Sequence, residues 1–478
     1  MEKQVREAGV LLPLFSLPGT MGIGDMGKCA YDWVDILCDS GASSWQILPL
    51  HPVGYGNSPY QTYSAFAGDE IYICLEDLFK YLKIEKSILS VKSNSVNYDM
   101  VRDEKSKLLK EAFSYFKENV VYQAFLKEAF WLKDYAQFMA LKKLNDNKSW
   151  IEWERDDYDK NEVQYQMFIQ FIFNQQWISL RKYANKKGIK IIGDIPIYLS
   201  HDSADVYYNR DEFLINKDNE LEVVAGVPPD YFSEEGQLWG NPIYDWDKMK
   251  SNNYSMWINR LKWSMRLFDI IRIDHFRAFD TYWAIEKGSL TAKNGQWMFG
   301  PSNHFFDVVY QELPHINIIA EDLGDLREEV LKLRDDYHMM GMQIIQFSLK
   351  HDEIIRDKKM KRNLLIYTGT HDNEVMADWY DRNSFIKKLQ VRWDLFKRGI
   401  KDKNLIDKIN HYTLSLNADW AILPLQDIIQ AKNSRINCPS TLGSPNWEWK
   451  LSDLDSIKDS MKKLKFWIRN TNRNNKSF

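Results

Sequence analysis

Residues 268–280 have the sequence FDIIRIDHFRAFD, and this stretch decides the fold. Its centre, residues 269–273, consists of isoleucines together with Asp269 and Arg272. A short run dominated by β-branched apolar residues is typical of a strand buried on both faces. The strand leads directly into Asp274, His275 and Arg277, a cluster that is costly to bury unpaired. A buried strand that delivers ionisable groups from its C-terminal end is typical of a parallel α/β barrel. A single aspartate at a strand end more often caps a loop, so the interpretation depends on whether the pattern recurs.

The pattern does recur, because short apolar runs followed by polar or charged residues are found along the whole chain. Most of these runs are separated by helical or long mixed segments, as the crossovers between parallel strands require. No GxGxxG dinucleotide fingerprint follows any of them, which removes an open doubly wound sheet as the main rival. We therefore predict an α/β fold, a (β/α)8 TIM barrel, with strands at 10–15, 44–48, 189–192, 268–273, 316–320, 342–347, 364–368 and 420–423.

The chain contains no low-complexity linker, so we predict one catalytic barrel domain over residues 1–478 with two insertions. From about residue 75 to 187, strand signals fade and helical patterns such as that of residues 127–144 dominate, which predicts a mainly helical insertion subdomain. Residues from about 200 to 260 are rich in Gly, Pro and aromatic residues and contain few apolar runs. We predict that they form a loop-rich insertion over the active site.

The composition is that of an ordinary globular protein with a large core: 478 residues, 44% hydrophobic and 27% charged, with a net charge of −4. This balance indicates neither nucleic acid nor an anionic membrane as a partner. The four cysteines form no CxxC pair, so neither disulfides nor zinc is expected. The N-terminal segment lacks a signal-peptide pattern, and no apolar run reaches membrane-spanning length. We expect a cytoplasmic protein.

Four of the predicted strands end in acidic residues: Asp194, Asp274, Glu321 with Asp322, and Asp372. Because parallel strands place their C-terminal ends on the same rim, these carboxylates should converge at one mouth. Several carboxylates in one pocket repel one another and raise at least one pKa. Two kinds of site use such a cluster. One binds a divalent metal, and the other transfers a glycosyl group with one ionised and one protonated carboxyl group.

The neighbouring residues favour glycosyl transfer over metal binding. Arg272 lies two positions before Asp274, on the same side of the strand, and a cation there keeps a nucleophilic carboxylate ionised. Glu321 follows an apolar strand without an adjacent cation, so desolvation can raise its pKa toward that of a general acid. His371, beside Asp372, is suited to donate a hydrogen bond to substrate hydroxyls. A metal-dependent barrel lyase or isomerase with the three carboxylates as ligands is the alternative of a different class, and a non-catalytic glucan-binding protein is another.

Several stretches resemble a known family. IIGDIPIYL, RIDHFRAF, AEDLG and GTHDN resemble the four sequence blocks of the α-amylase clan. SPYQTYSAFAG, DSADV, AGVPPDYFSEEGQLWGNP, and RIN.P with NWEW resemble its amylomaltase branch, the 4-α-glucanotransferases or disproportionating enzymes. The resemblance extends from about residue 22 to 450. It implies a barrel without the C-terminal β-domain of ordinary α-amylases, because the chain ends about where the barrel should close.

The resemblance also implies an activity. Such an enzyme transfers α-1,4-glucan segments to the 4-hydroxyl of an acceptor glucose or glucan, with maltooligosaccharides as substrates and with neither metal nor cofactor. It acts by a retaining double displacement. By motif position Asp274 would be the nucleophile that forms the glycosyl-enzyme, and Glu321 the general acid and then base. Asp372 would grip ring hydroxyls and stabilise the oxocarbenium-like transition state.

For retention, the carboxyl groups of Asp274 and Glu321 should be about 5–5.5 Å apart. The remaining residues that the resemblance places against the substrate are Tyr60, Asp194, Asp230, Gln237, Trp239, Asn241, Arg272, His275, His371, Asn373 and Asn446. The chain departs from the branch's pattern at Ala278, where Gly is usual, and at Ser440, Ser444 and Lys450. Within the same chemistry, a mainly hydrolytic α-glucanase is the alternative.

Overall fold

The computed structural model describes residues 6–88, 90–229, 233–350 and 362–473. Within these ranges the strands alternate with helices for most of the chain, as the sequence predicts. In chain order the strands are β1 (Glu7–Leu11), β2 (Ser44–Gln46), β3 (Lys190–Ile195), β4 (Val223–Val227), β5 (Gln237–Pro242), β6 (Ile270–Ile273), β7 (Thr281–Glu286), β8 (Gly295–Phe299), β9 (Ile318–Ala320), β10 (Gly341–Ile344), β11 (Leu364–Tyr367) and β12 (Trp420–Pro424).

Eight of these strands form one parallel sheet in the order β10-β11-β12-β1-β2-β3-β6-β9. The two end strands also meet. The amide of Ala320 donates to the carbonyl of Met340 at 2.9 Å, and Ile319 forms a parallel bridge with Met340. The sheet therefore curves round on itself, with all eight C-terminal strand ends on one rim. The predicted (β/α)8 barrel is confirmed.

All eight predicted strands differ from the observed strands by at least one residue at one end, and two of them end in a 3-10 turn where the sequence predicts strand. The strand predicted at 10–15 is β1, which ends at Leu11, and Leu14–Ser16 forms a 3-10 turn. Pro13 explains this difference, since it lacks the amide proton that the ladder would need. The strand predicted at 342–347 ends at Ile344, and Ile345–Ser348 is also a 3-10 turn. Both turns lie where the chain leaves the barrel at its C-terminal rim.

Helices surround the barrel. Lys28–Ser40 shows why they form here: Ala30, Trp33, Val34 and Leu37 recur at helical spacing and are buried, so the apolar stripe packs on the sheet. Gly41 ends this helix in the left-handed conformation at φ 79°, which glycine adopts without strain. The helices that precede the barrel strands in the chain are Lys28–Ser40, Lys160–Lys186, Ser255–Leu267, Ser302–Glu312, Glu328–Asp336 and Leu405–Ser415, and Lys458–Asn470 follows β12.

The segment between β2 and β3 is helical, with Leu75–Leu82, Tyr98–Tyr115, Val120–Glu128 and Leu132–Leu144 before Lys160–Lys186. The helix expected over 127–144 is broken at residues 129–131. Ala129 departs from helical geometry there, with φ −84° and ψ 73°, and the ring of Trp131 packs edge-on against Trp263 with centroids 5.3 Å apart. The remaining α-helices in the described ranges are Ala204–Tyr208, Trp246–Ser251, Met376–Arg382, Phe385–Lys397 and Leu425–Ile429.

A second sheet stands beside the C-terminal end of β6. It is antiparallel, in the order β5-β4-β7-β8, and the turn Phe276–Phe279 connects β6 directly to β7. No strands are predicted here from the sequence. β4 and β5 contain glycine and proline at Gly226, Gly240 and Pro242, residues that weaken a strand signal. In the described part of the chain, no helix is both long and apolar enough to cross a membrane.

Candidate active site

Arg272 lies at the centre of the barrel mouth, and its side chain is 3% exposed. β3 and β6 pair in a register that places Asp194 beside Arg272. One guanidinium nitrogen of Arg272 is 2.7 Å from each carboxylate oxygen of Asp194, and the other is 3.0 Å from Oδ1 of Asp274. One buried cation is thus shared by two carboxylates. Removing it would leave buried negative charge without compensation.

Glu321 is held by main-chain amides. Its Oε2 accepts a hydrogen bond from the amide of His275 at 2.8 Å, and its Oε1 accepts one from the amide of Leu323 at 3.1 Å. His275 has the left-handed conformation, φ 52° and ψ 48°, which is uncommon for a residue other than glycine. Because His275 directly follows Asp274, this hydrogen bond joins the end of β6 to the end of β9. The structure therefore brings Asp274 and Glu321 to neighbouring positions on the rim.

The two carboxyl groups have raised pKa values. Burial raises the pKa of Glu321 to about 7, and the charge of Asp274 adds to this effect while Arg272 and the two amides oppose it. Burial also raises the pKa of Asp274 to about 6, against the attraction of Arg272. Of the two, Asp274 has the direct contact with Arg272. Asp274 therefore loses its proton first, and Glu321 keeps one to higher pH.

Asp372, after β11, is ionised. Its Oδ2 is 3.2 Å from Nε2 of His371, and its Oδ1 accepts a hydrogen bond from Nδ2 of Asn437 at 2.6 Å. Burial would raise the pKa of Asp372, but the charge of His371 and the hydrogen bonds from His371 and Asn437 lower it to about 2. In the same way Asp372 raises the pKa of His371, although burial opposes the change. The two side chains are within hydrogen-bonding distance of each other at the mouth.

Tyr60 connects the two sides of this mouth. Its hydroxyl donates to Oδ2 of Asp194 at 2.8 Å and lies 3.0 Å from Nε2 of His371. Its ring stacks on the imidazole of His371, with centroids 5.4 Å apart and planes inclined by 15°. Burial raises the pKa of Tyr60 well above its ordinary value, and the charge of Asp194 adds to the rise, so the hydroxyl stays neutral and can donate. Arg272, Asp194, Tyr60, His371 and Asp372 therefore form one connected network.

Two residues of β5 lie beside the site. The indole of Trp239 meets the imidazole of His275 edge-on, with centroids 4.9 Å apart, and its Nε1 donates to Oε1 of Gln237 at 3.2 Å. Burial lowers the pKa of His275 to about 3, so its ring is neutral. The predicted residues Gln237, Trp239 and His275 thus lie together next to Asp274.

Three further predicted residues hydrogen-bond within the loops around the site. Asn241 donates to the carbonyl of Leu199 at 2.9 Å. Asn373 accepts from the amide and hydroxyl of Thr370 at 2.8 and 3.0 Å, which shapes the loop that carries His371 and Asp372. Asn446 accepts from the amide of Cys438 at 2.8 Å and is 6% exposed. The side chains of these asparagines hold loops in place. Asp230, also predicted as a binding residue, lies outside the described residues.

Two residues that hold Asp372 were not predicted from the sequence. Asn437 donates its side-chain amide to Asp372 Oδ1, and its main-chain amide donates to the carbonyl of His371 at 3.0 Å. Arg435 donates to the main-chain carbonyl of Asp372 and, at 2.6 Å, to that of Asn437. Both residues belong to the RIN stretch after the last strand. That stretch carries part of the resemblance to the amylomaltase branch, and its Arg-x-Asn sequence at the rim is the local signal for these two residues.

Acidic residues at this rim are paired with cations or amides. Asp322, next to Glu321, forms an ion pair with Arg334 and accepts from the amide of Met342 at 2.7 Å, so it supports β10. Among the residues that the structure describes, no group of three or more His, Cys, Asp or Glu side chains is arranged to hold a metal ion. The arrangement offers one ionised carboxylate, Asp274, next to one carboxylic acid, Glu321. That pairing suits attack at a carbon and proton delivery to a leaving oxygen.

Comparisons with known proteins agree with this chemistry. The family model of the 4-alpha-glucanotransferases matches residues 12–456. A 4-alpha-glucanotransferase of Clostridium butyricum is 41% identical, covering 92% of this chain and 95% of its own, and one of Aquifex aeolicus is 36% identical, covering 96% and 98%. The amylomaltase of Streptococcus agalactiae, solved in complex with acarbose, has a TM-score of 0.92 at 32% identity and covers 98% of this chain and all of its own. The chain belongs to the 4-α-glucanotransferase family.

Proposed function

We propose that this protein is a 4-α-glucanotransferase that works by a retaining double displacement. The observation that carries the proposal is the hydrogen bond from the amide of His275 to Glu321, because it joins the acid on β9 to the residue that follows Asp274. Arg272 contacts Asp274 at 3.0 Å and favours its ionised form. A nucleophile and an acid with separate protonation states, held side by side, are what this mechanism requires.

In the first step, a carboxylate oxygen of Asp274 attacks the anomeric carbon of a glucose unit in an α-1,4-glucan. The bond from that carbon to the glycosidic oxygen breaks, and Glu321 gives its proton to the departing oxygen. The products are a glucan with a new 4-hydroxyl end and a β-glycosyl ester on Asp274. Glu321 is left as a carboxylate that accepts two amide hydrogen bonds, which stabilise its charge.

In the second step, the 4-hydroxyl of an acceptor glucose or glucan attacks the same carbon from the side that the leaving group vacated. Glu321 takes the hydroxyl proton, and the ester oxygen of Asp274 departs as a carboxylate. The new bond is again α-1,4, because two inversions at one carbon restore its configuration. Atoms and protons balance without a metal or cofactor.

Asp372 and His371 serve the transition state. The pKa of Asp372 is lowered to about 2, so its carboxylate remains charged at any pH at which the enzyme works. We propose that it accepts hydrogen bonds from ring hydroxyls of the glucose unit being transferred. As positive charge develops on the ring, these contacts strengthen and lower the barrier. The hydroxyl of Tyr60 connects His371 to Asp194, and Asp194 contacts Arg272, which in turn contacts Asp274.

Transfer, rather than hydrolysis, requires that an acceptor sugar reaches the intermediate before water does. We propose that Gln237 and Trp239 on β5, with His275, form one wall that excludes water from the ester. The edge-on contact of Trp239 with His275 supports this proposal, since it places a large apolar surface beside the residue that follows Asp274. Asp230, in the same insertion, keeps its predicted role in binding.

The substrates that we propose are α-1,4-glucans and maltooligosaccharides as donors, with glucose or glucans as acceptors. The amylomaltase that resembles this chain over nearly its whole length was solved with acarbose bound, which supports a site for linked sugar rings. We also propose a cytoplasmic location. The four cysteines, all present as free thiols, support it.

Incubation with maltotriose tests the proposal. Transfer would give glucose together with a ladder of longer oligomers, because each glycosyl-enzyme is captured by another sugar. A hydrolase would give only glucose and maltose, and that outcome would reject transfer while leaving glycoside chemistry intact. Exhaustive chelation before the assay tests the metal-dependent alternative, and we expect it to leave the ladder unchanged.

A further inference from the structure

The helix Phe385–Lys397 carries a row of large apolar side chains that are exposed to solvent. Five of them are between 48% and 73% exposed: Phe385, Ile386, Leu389, Trp393 and Phe396. At about 100° of rotation per residue, these five side chains fall within one sector of about 100°, and they form the outer face of the helix. Contiguous exposed apolar patches of this kind mark surfaces that bind proteins or membranes.

The opposite side of the same helix already packs on the protein. Val391 and Leu395 are buried there, and the helix contacts the neighbouring helix Leu405–Ser415. The hydroxyl of Ser384 caps the N-terminus, where it accepts from the amide of Lys387 at 3.3 Å. One apolar side is enough to hold a surface helix on a core. The outer face is therefore not needed for the fold.

Positively charged side chains border the outer face on both edges. By the same rotation, Lys388 and Arg392 follow one edge and Lys397 follows the other. The ammonium group of Lys388 is 4.2 Å from the ring centroid of Tyr380, and that of Lys397 is 5.3 Å from the ring centroid of Trp393. These cations thus lie beside aromatic rings at the border between the apolar sector and the polar surface.

The acidic residues nearby do not neutralise these cations. Residues 380–403 contain eight Lys or Arg and three Asp residues. Asp394 is buried, Asp381 pairs with Lys432 at 2.6 Å, and Asp402 lies 2.7 Å from an imidazole nitrogen. The segment is therefore basic, although the whole chain has a net charge of −4. The expectation of no anionic membrane partner was based on that whole-chain value, which averages over this segment.

The charge of the border distinguishes between the possible occupants of the outer face. In a two-fold contact with a second copy, the same patch meets itself, so the basic edges of the two copies would repel each other. An anionic lipid surface complements both parts of the patch. Its phosphates attract the cations, and the boundary between headgroups and acyl chains accepts the apolar side chains. Trp, Phe and Leu on one face with Lys and Arg beside them are typical of helices that lie in a membrane interface.

We propose that the outer face docks this protein on an anionic lipid surface, with the helix Phe385–Lys397 lying in the plane of the interface. The five apolar side chains enter the headgroup boundary to a depth of about 5–10 Å, and Lys388, Arg392 and Lys397 contact lipid phosphates. The attachment is peripheral. It uses none of the residues that take part in the proposed reaction and does not depend on that reaction.

Co-sedimentation with lipid vesicles tests the proposal. One set of vesicles contains phosphatidylcholine with about 30% phosphatidylglycerol as the anionic lipid, and the other contains phosphatidylcholine alone. Trp393→Ser removes a ring from the outer face, and Phe396→Ser is a second substitution on that face in case the first variant does not fold. The double variant Lys388→Gln/Lys397→Gln removes one cation from each edge. Circular dichroism checks that each variant is folded.

The control variants lie on the helical insertion between β2 and β3. Tyr115→Ser matches Trp393→Ser, because both side chains are 57% exposed. The double variant Lys110→Gln/Lys117→Gln removes two exposed lysines and matches the change of charge at the edges.

We expect the parent to bind the anionic vesicles at least ten-fold more strongly than the neutral ones, and this binding should weaken as salt is added. The outer-face variants and Lys388→Gln/Lys397→Gln should each bind the anionic vesicles at least five-fold more weakly than the parent. Both control variants should bind like the parent. Maltotriose turnover without vesicles should stay within two-fold of the parent in all variants.

Failure of the parent to sediment with anionic vesicles, or equal sedimentation with both kinds, would overturn the proposal. Undiminished binding of the folded outer-face variants would do the same. Sedimentation velocity without lipid tests the second copy: a dimer of the parent that is lost in Trp393→Ser would assign the outer face to self-association instead. If maltotriose gives no ladder, the proposed function fails, and the vesicle result still decides whether the outer face binds lipid.

Discussion

The two different pKa values of Asp274 and Glu321 predict a bell-shaped dependence of activity on pH. One substitution can show which residue causes each side of that profile. The reactive form has Asp274 ionised and Glu321 protonated, with pKa values raised to about 6 and about 7. The optimum should lie between these values, at about pH 6.5, and activity should fall on the acid side as Asp274 takes up a proton and on the alkaline side as Glu321 loses one. The acid limb reports Asp274 and the alkaline limb reports Glu321.

The variant Glu321→Gln tests which residue causes each limb of the pH profile. The amide side chain has the same shape, and its oxygen can still accept one of the two main-chain amides, but it cannot deliver a proton. With maltotriose we expect a loss of roughly 10²–10⁴-fold in kcat/KM, the usual contribution of a general acid. With α-maltosyl fluoride, whose leaving group needs no proton, the first step should survive in the variant.

The assay compares two pH profiles between pH 4 and 9: maltotriose turnover by the parent, and fluoride release from α-maltosyl fluoride in the first turnover of Glu321→Gln. In the variant the alkaline limb should disappear and the acid limb should remain, because Asp274 must still ionise. An alkaline limb that persists in Glu321→Gln would refute the assignment of the higher pKa to Glu321. An acid limb that disappears with it would refute the role of Asp274.

Three other outcomes are expected. Asp274→Asn should abolish the glycosyl-enzyme, so that mass spectrometry after reaction with α-maltosyl fluoride finds an adduct of the parent and none of the variant; an adduct elsewhere would contradict the nucleophile. Tyr60→Phe removes a hydroxyl bonded to the carboxylate of Asp194, so thermal denaturation should show a loss of about 1.5–3 kcal/mol, and an unchanged melting temperature would show that the hydroxyl contributes nothing. Asn437→Ala removes a hydrogen-bond donor from Asp372, so the pKa of Asp372 in the folded protein should rise. Because a lowered carboxyl pKa stabilises the folded state only until the carboxylate is protonated, acid unfolding of the variant should begin at a higher pH than in the parent. Asn446→Ala, in the same loop without a bond to Asp372, is the control, and equal acid sensitivity of the two variants would count against the role of Asn437.

The barrel could be predicted because its strands carry their signal locally. Residues 268–273 are apolar enough to indicate a buried strand without reference to the rest of the chain. Parallel strands then place Asp274, Glu321 and Asp372 on one rim, irrespective of the conformations of the loops. The antiparallel sheet of β4, β5, β7 and β8 was missed, since β4 pairs with β7, which is distant in sequence, and both β4 and β5 include glycine or proline.

Side-chain orientation was beyond the sequence. Asn241 and Asn446 were predicted to bind substrate, and the structure adds that their side chains hydrogen-bond to the main chain of Leu199 and Cys438. Asn437, which bonds Asp372 across 65 positions, was not predicted. In each case the determining contact is a hydrogen bond that depends on how two loops approach each other, and no local pattern encodes that approach.

The way Glu321 is held has a practical consequence. Both of its oxygens accept from peptide N–H groups, at His275 and Leu323, so neighbouring side chains can be exchanged without removing its anchors. Gln237 and Trp239 belong to a different sheet. A designer could therefore reshape the sugar-facing wall to accept altered rings while the proton donor stays where it is, so that selectivity and reactivity are adjusted independently.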